Sequence, residues 1–151
     1  EIGVRLVGSE MCIRDRSKTD SLYPGDADLL LLNEDNKAVC IFEFKKHTLS
    51  SPISEQCFTN YYPRPDGRKY KRLALLRDYL ASKSNSRILF FVLYYPTQTY
   101  IEQQWKLEVI EGNAFSLRAT DSFTFELPAD KSDNEYKKVI EKISQVIATH
   151  S

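Results

Sequence analysis

The sequence predicts an α/β domain with a mixed central sheet and flanking helices. Two short apolar runs, at 29–32 and 38–44, stand on either side of a polar turn, as adjacent strands do. A helix with one apolar face follows at 68–83, and a third apolar run occupies 87–95. This third run is apolar at almost every position, which is typical of a central strand buried on both faces. The order strand, strand, helix, strand therefore predicts a sheet covered by helices.

The other elements follow from turn residues and periodicity. A short helix is expected at 53–61, between Pro52 and the Pro and Gly residues at 63–67. Strands are predicted at 105–110, 114–118 and 123–127, with a turn at 111–113. Ser132 and Glu135 form a capping box that opens a last helix. The domain is thus expected to end in a β-hairpin region and a helix.

Residues 1–16 are expected to be foreign to the natural protein. The segment Leu6 to Arg16, LVGSEMCIRDR, resembles, codon for codon, the translated adaptor of a transposase-based sequencing library, and the five residues before it fit the upstream primer and index. The only methionine, Met11, lies inside this segment. Such scars are excluded from fold reasoning. We expect one domain at 17–151, an N-terminally truncated fragment, in which 1–16 have no native packing role even if 4–7 fill a vacant sheet edge as a strand.

Composition limits the class of protein. The chain has 21 basic and 21 acidic residues, and this neutrality argues against a protein that coats nucleic acid without specificity. Outside the adaptor segment, Cys40 and Cys57 suggest neither a disulfide framework nor a metal cluster, and Cys40 is expected in the core. No apolar stretch is long enough to span a membrane. We expect a soluble, cytoplasmic globular domain.

Charged residues stand at the ends of the first two apolar runs. Glu43 and Lys45 are two residues apart on one predicted strand, so both point to the same face. Pairing of the two runs would bring Asp28 to the same place. Two carboxylates suit a hard divalent cation, and a neighbouring lysine can orient or deprotonate water. The alternative is that these charges are solvated strand ends, but polar groups in so apolar a run need a reason.

These two motifs resemble those of the PD-(D/E)XK nuclease superfamily, which has a restriction-endonuclease-like fold. The match is Gly25-Asp26-Ala27-Asp28-Leu29, followed by Glu43-Phe44-Lys45-Lys46. The resemblance implies a metal-dependent nuclease that hydrolyses phosphodiester bonds, with DNA favoured over RNA. It also implies a core whose first helix and strand would precede Asp28, and which this chain would lack.

The resemblance further implies roles for individual residues. Asp28 and Glu43 would bind Mg²⁺ or Mn²⁺, the Phe44 backbone carbonyl would be a further ligand, and Lys45 would be the catalytic residue that handles water. Auxiliary roles are implied for the following residues: Asp26, Lys46 and Gln56. His47 directly follows the motif and could be a catalytic histidine, but the expectation is a surface group at a strand end.

A basic segment follows the second motif. Six lysine or arginine residues lie between 64 and 77 against one acid, Asp66, with tyrosines interleaved. Basic side chains near a helix start favour phosphate, and tyrosines can stack on bases. We expect the following residues to bind nucleic acid: Arg64, Arg68, Lys69 and Arg72. The alternative is an ordinary solvated helix face.

Three functional hypotheses remain open. The first is a magnesium-dependent nuclease. The second is a catalytically silent nuclease-like module that binds nucleic acid or a protein partner. The third is an unrelated α/β domain with chance motifs, which a strand order that separates Asp28 from Glu43 would establish.

Overall fold

The computed structural model describes residues 27–48, 50–97, 103–127 and 132–151, apart from the side chain of Tyr136, together with the backbone of 3–5. These residues form one six-stranded sheet and two α-helices. The strands are β1 (Gly3–Arg5), β2 (Leu29–Leu32), β3 (Ala38–His47), β4 (Leu89–Pro96), β5 (Gln104–Asn113) and β6 (Ser116–Glu126). The helices are α1 (Gly67–Ser84) and α2 (Asp133–His150). The predicted α/β class with a mixed sheet is confirmed.

The strands lie in the sheet in their chain order. Neighbours are antiparallel except β3 and β4, which are parallel and joined through α1. A parallel pair needs such a crossover because the chain must return to the starting end of the sheet. In the β2–β3 register Leu29 lies opposite Phe42, so Asp28 comes beside Glu43. The predicted pairing of the two motif strands is therefore observed.

The two faces of the sheet carry separate apolar cores. Ile41 packs in a cluster with Tyr70 and Leu73 of α1, whereas Cys40 and Phe42 pack in a second cluster with Val146 and Ile147 of α2. Cys40 is fully buried, which confirms its predicted place in the core. Side chains alternate along a strand. Glu43, Lys45 and His47 therefore lie on the α1 face, the face of Ile41.

The predicted helix at 68–83 corresponds to α1, with one further residue at each end. It ends where Asn85 adopts a left-handed conformation, with φ of 49°, and its backbone N–H caps the carbonyl of Ala81. At the start of α2, the Ser132 hydroxyl accepts a hydrogen bond from the Glu135 backbone N–H at 3.4 Å, as the predicted capping box requires. Within the described part of the chain, neither helix is long and apolar enough to cross a membrane.

Two local predictions were wrong. The expected helix at 53–61 is a pair of 3₁₀ turns, Ile53–Glu55 and Phe58–Asn60, because Gln56 and Cys57 between them are extended. The two strands expected at 114–118 and 123–127 are the single strand β6. Its polar middle stays in the ladder because an exposed edge strand tolerates polar side chains. The turn lies at 114–115, since Asn113 still pairs with Ser116.

Part of the adaptor-like segment pairs with the sheet. Gly3–Arg5 forms β1, antiparallel to β2, with Val4 opposite Leu31. This is close to the expectation that 4–7 would fill a vacant edge. An unpaired edge strand offers backbone N–H and C=O groups to any extended segment, whatever its side chains. The pairing therefore does not require a native sequence.

Candidate active site

Asp28 and Glu43 converge on one point at the junction of β2 and β3. The Nζ atom of Lys69 lies 2.7 Å from Glu43 Oε2 and 3.8 Å from Asp28 Oδ1. The other oxygen of Asp28, Oδ2, accepts a hydrogen bond of 2.7 Å from the Phe44 backbone N–H, which fixes the carboxylate. The two carboxylates thus reach a single cation, and the strand order of the third hypothesis is not observed.

Lys45 lies on the other side of Glu43. Its Nζ atom is 3.3 Å from Glu43 Oε1 and 2.5 Å from Asp66 Oδ2. It also lies over the rings of Tyr61 and Tyr70, 4.8 and 5.4 Å from their centroids. Asp66 occupies the N-cap position of α1, where an aspartate side chain ordinarily caps the helix, but here it makes no capping hydrogen bond. Lys45 is therefore held by ion pairs and by aromatic faces.

The charges form a continuous series, which we call the acid–lysine chain: Asp28, Lys69, Glu43, Lys45 and Asp66. Its middle is buried, since the Glu43 side chain is only 2% exposed. Its ends are open, with Asp28 29% and Asp66 34% exposed. The alternation of sign compensates a carboxylate that would otherwise be buried at high cost.

Burial dominates the protonation of Glu43. Loss of water, together with the negative charge of Asp28, raises the pKa of this carboxyl to about 7, although Lys69 opposes both effects. Two buried polar atoms lack a hydrogen-bond partner among the described residues, Glu43 Oε2 and the Tyr70 hydroxyl. Oε2 is in ion contact with the Lys69 ammonium, at 2.7 Å. Such an oxygen has electron pairs available to a cation.

The donor set suits a divalent metal that keeps much of its water. No group of three or more His, Cys, Asp or Glu side chains placed to hold a metal occurs in the part of the chain that the structure describes. Mg²⁺, however, is commonly bound through one or two carboxylates, with water and phosphate completing its shell. Asp28 and Glu43 supply two carboxylates, and Lys69 Nζ marks a position that both can reach. A carbonyl ligand from Phe44 remains a prediction.

The auxiliary residues are dispersed. Asp26 lies outside the described residues, and Lys46 is exposed on the face opposite to Glu43. Gln56 is buried, and its side chain contacts His47 Nδ1 at 3.0 Å and the Tyr61 hydroxyl at 3.3 Å. Gln56 therefore reaches the acid–lysine chain only through the Tyr61 ring, among the contacts of the described residues.

The expectation that His47 is a surface group is wrong. The side chain is buried, with 6% exposed, because the segment 50–60 folds over the end of β3. Nε2 lies 2.7 Å from the Ser51 carbonyl oxygen, which can only accept, so Nε2 carries the proton. Nδ1 then accepts from the Gln56 amide. This assignment follows from the hydrogen-bond network and gives His47 a structural role.

The basic residues divide into two groups. Arg64 and Arg68 are exposed and Arg72 is half-buried, all at or near the start of α1. Lys69, which is also predicted to bind nucleic acid, contacts Asp28 and Glu43. The side chains of α1 thus supply both an outer basic surface and an inner counter-ion.

Sequence reasoning did not assign Asp66 and Lys69 to the carboxylate site. A helix that crosses between parallel strands starts near the carboxyl end of the first strand. Glu43 and Lys45 lie towards that end of β3, so the first turn of α1 was bound to lie near them. The predicted order of strand, helix and strand contained this signal.

A second buried pair, Lys106 and Glu108 of β5, was also missed. Glu108 Oε2 accepts hydrogen bonds from the Phe58 backbone N–H at 2.7 Å and from the Tyr94 hydroxyl at 2.8 Å. Lys106 Nζ donates to the carbonyl oxygens of Ser54, at 2.9 Å, and Gln56. This pair fastens the segment 50–60 to the sheet.

Comparisons of the chain with protein-family models, with curated proteins and with solved structures found no match. An inference about function therefore rests on the chemistry of the site.

Proposed function

We propose that this protein is a metal-dependent nuclease that hydrolyses phosphodiester bonds in nucleic acid, with DNA the favoured substrate and the cytoplasm the place of action. One observation carries the proposal: Asp28, directly before β2, and Glu43, on the neighbouring strand β3, both contact the single cation of Lys69, with Lys45 beside them. The order of β2, β3, α1 and β4, an antiparallel pair followed by a helical crossover to a parallel strand, supports the resemblance to the PD-(D/E)XK nucleases.

Each residue of the site has a distinct task in this proposal. Asp28 and Glu43 hold Mg²⁺ or Mn²⁺, which supplies neutralisation of the phosphate and activation of water. Lys45, fixed between Glu43 and Asp66, directs its ammonium to the water and to the charge that develops on the phosphate. Arg64, Arg68 and Arg72 contact the substrate backbone near the start of α1. In the reaction, a water oxygen forms a P–O bond as the P–O bond to the leaving oxygen breaks, and the proton that the water loses is taken up by the leaving oxygen.

Metal-dependent cleavage of labelled single- and double-stranded DNA and RNA tests the proposal. We expect cleavage with Mg²⁺ or Mn²⁺ and none with Ca²⁺, which is larger and holds looser geometry around the same oxygens. Cleavage that proceeds in excess chelator, or that survives loss of Asp28, Glu43 and Lys45, would overturn the proposed site.

A silent binding module is the second candidate. It is favoured by the mutual pairing of charges in the acid–lysine chain, which is also what a structural ion network shows. This candidate predicts nucleic-acid binding without cleavage by any metal. Replacing Arg68 and Arg72 together by Ala should then weaken binding to nucleic acid. The slope of the logarithm of the binding constant against the logarithm of the salt concentration should also become shallower, by about one for each phosphate that the variant no longer neutralises.

A further inference from the structure

The ammonium of Lys69 occupies the position that a metal shared by Asp28 and Glu43 would need. It is 2.7 Å from one carboxylate and 3.8 Å from the other. We propose that Lys69 is a resident counter-ion that a divalent metal displaces, and that its released ammonium then binds a phosphate of the nucleic acid. The inference rests on the proposed function, because it requires a divalent cation at Asp28 and Glu43.

The two cations exclude each other. A Mg²⁺ ion bound to Glu43 Oε2 lies about 2 Å from that oxygen, whereas Lys69 Nζ is 2.7 Å from the same atom. Both would occupy the gap between the same two carboxylates, and two positive charges so close together would repel each other. Metal binding therefore requires Lys69 to leave.

Lys69 is the more exposed of the two lysines at Glu43. Its side chain is 27% exposed and lies in the first turn of α1, so rotation about its four-carbon stem carries the ammonium towards solvent. Lys45 is 15% exposed and is held by Asp66 and two tyrosine rings. Of these two ammonium groups, that of Lys69 therefore lies nearer to solvent, and it is the one that a metal can replace.

Displacement couples metal binding to substrate binding. The released ammonium of Lys69 lies at the start of α1 beside Arg68 and Arg72, where backbone N–H groups and the helix dipole also favour phosphate. A phosphate that holds Lys69 outside the site removes the competitor of the metal. By linkage, metal and nucleic acid then strengthen each other's binding by the same factor.

The experiment is a Mn²⁺ titration of the folded protein at pH 8 and low salt, followed by the electron paramagnetic resonance signal of free Mn²⁺. Lys69→Met keeps the apolar stem and removes the charge. We expect it to bind Mn²⁺ at least about tenfold more tightly than the wild type, or about 1.4 kcal/mol. The matched control is Lys71→Met in the same helix, whose ammonium lies 4.2 Å from the Phe115 ring centroid, and it should leave the affinity unchanged.

A second measurement does not depend on the variant. Lysines carrying ¹³C-labelled methyl groups give separate resonances, and Mg²⁺ should move the Lys69 resonance towards that of a solvated lysine. The same titration of Asp28→Asn should leave the resonance in place. A Lys69 signal that Mg²⁺ does not shift in the wild type would overturn the displacement.

The outcomes separate this inference from the proposed function. If neither the wild type nor Lys69→Met binds Mn²⁺, the displacement and the proposed function are both wrong. If both bind it equally and Asp28→Asn abolishes binding, the metal site stands and displacement is wrong. Weaker binding by Lys69→Met than by wild type would make Lys69 a supporting residue, which also contradicts displacement.

Discussion

Strands β3 and β5 each carry a buried glutamate and a lysine two residues apart, and β4 aligns the two pairs. Glu43 and Glu108 both lie opposite Val92, while Lys45 and Lys106 both lie opposite Tyr94. The β3 pair and the β5 pair therefore share one face and one level of the sheet, about 10 Å apart. Their residue types and spacing are the same, so only their surroundings distinguish them.

Those surroundings differ in kind. The β5 pair is bound by groups that belong to the backbone or to the core: two carbonyl oxygens, a backbone N–H and the Tyr94 hydroxyl. The β3 pair is bound by charged side chains, Lys69 and Asp66, which are themselves partly exposed. Hydrogen bonds from fixed neutral donors already satisfy the Glu108 carboxylate, so it does not need a further ligand. A partly exposed ammonium is what our proposal requires, since a metal ion would replace it between the two carboxylates.

The surroundings suggest that the buried charges of the β5 pair stabilise the fold and that those of the β3 pair are suited to chemistry. A buried ion pair costs desolvation whether or not it has a function. In the β5 pair that cost is offset by hydrogen bonds that hold the segment 50–60. In the β3 pair one glutamate oxygen lacks a hydrogen-bond partner among the described residues and the pKa of the carboxyl is raised to about 7. Groups so perturbed are candidates for function.

The largest expected effect is on cleavage. Asp28→Ala and Glu43→Ala should abolish it by removing metal ligands. Lys45→Ala should lower the rate by about a hundredfold or more while leaving Mn²⁺ affinity largely intact, because Lys45 acts on water and phosphate. Cleavage rates and Mn²⁺ titrations on the same samples check this. The control is Lys46→Ala, which changes an exposed side chain on the other face, and full activity in Lys45→Ala would contradict the assignment.

The next effect is on stability and concerns the β5 pair. Glu108→Ala removes the acceptor of the Phe58 N–H and the Tyr94 hydroxyl and leaves Lys106 without its carboxylate. Breaking a buried pair in this way should cost about 3–5 kcal/mol of the free energy of unfolding. Urea unfolding measures it. A loss below about 1 kcal/mol would mean that the β5 pair does not hold the fold.

Glu43→Gln should instead raise the free energy of unfolding, and only at high pH. Because burial raises the pKa of Glu43 to about 7 from 4.5, the folded state binds a proton more tightly than the unfolded state. Its stability therefore falls as the pH rises from about 4.5 to about 7, by about 3 kcal/mol in total. The Gln side chain does not titrate in this range, so the variant does not lose stability in this way. In metal-free buffer the variant should be more stable than wild type at pH 8 and equal to it below pH 4.5, and equal stability at both would refute the raised pKa.

Much of the fold was predictable, because its signals are local. The apolar runs of β2 and β3 and the periodicity of α1 each lie within one element, and alternation alone placed Glu43 and Lys45 on one face. The meeting of Asp28 with Glu43 followed from pairing two neighbouring strands. These inferences need no knowledge of distant contacts.

The remainder depends on contacts between distant segments. Lys106 and Glu108 alternate with apolar residues as a solvated strand face does, and they are buried because the segment 50–60 covers them. His47 is buried by the same segment. The place of Lys69 depends on the rotation of α1 against β3, which helical periodicity does not determine between neighbouring residues.

The smallest expected effect concerns residues 1–16. The strand β1 pairs with β2 over only three residues. Each hydrogen bond of such an edge contributes about 1 kcal/mol net, and ordering each residue costs a similar amount, so the two nearly cancel. Deleting 1–16 should therefore change the melting temperature by only a few degrees, and replacing them by a scrambled sequence should change it no more. A scrambled segment that lowers it as much as a core substitution would show that side chains of 1–16 pack specifically, and the adaptor interpretation would be wrong. If deletion alone lowers it and scrambling does not, the segment stabilises the sheet only as an edge strand of arbitrary sequence.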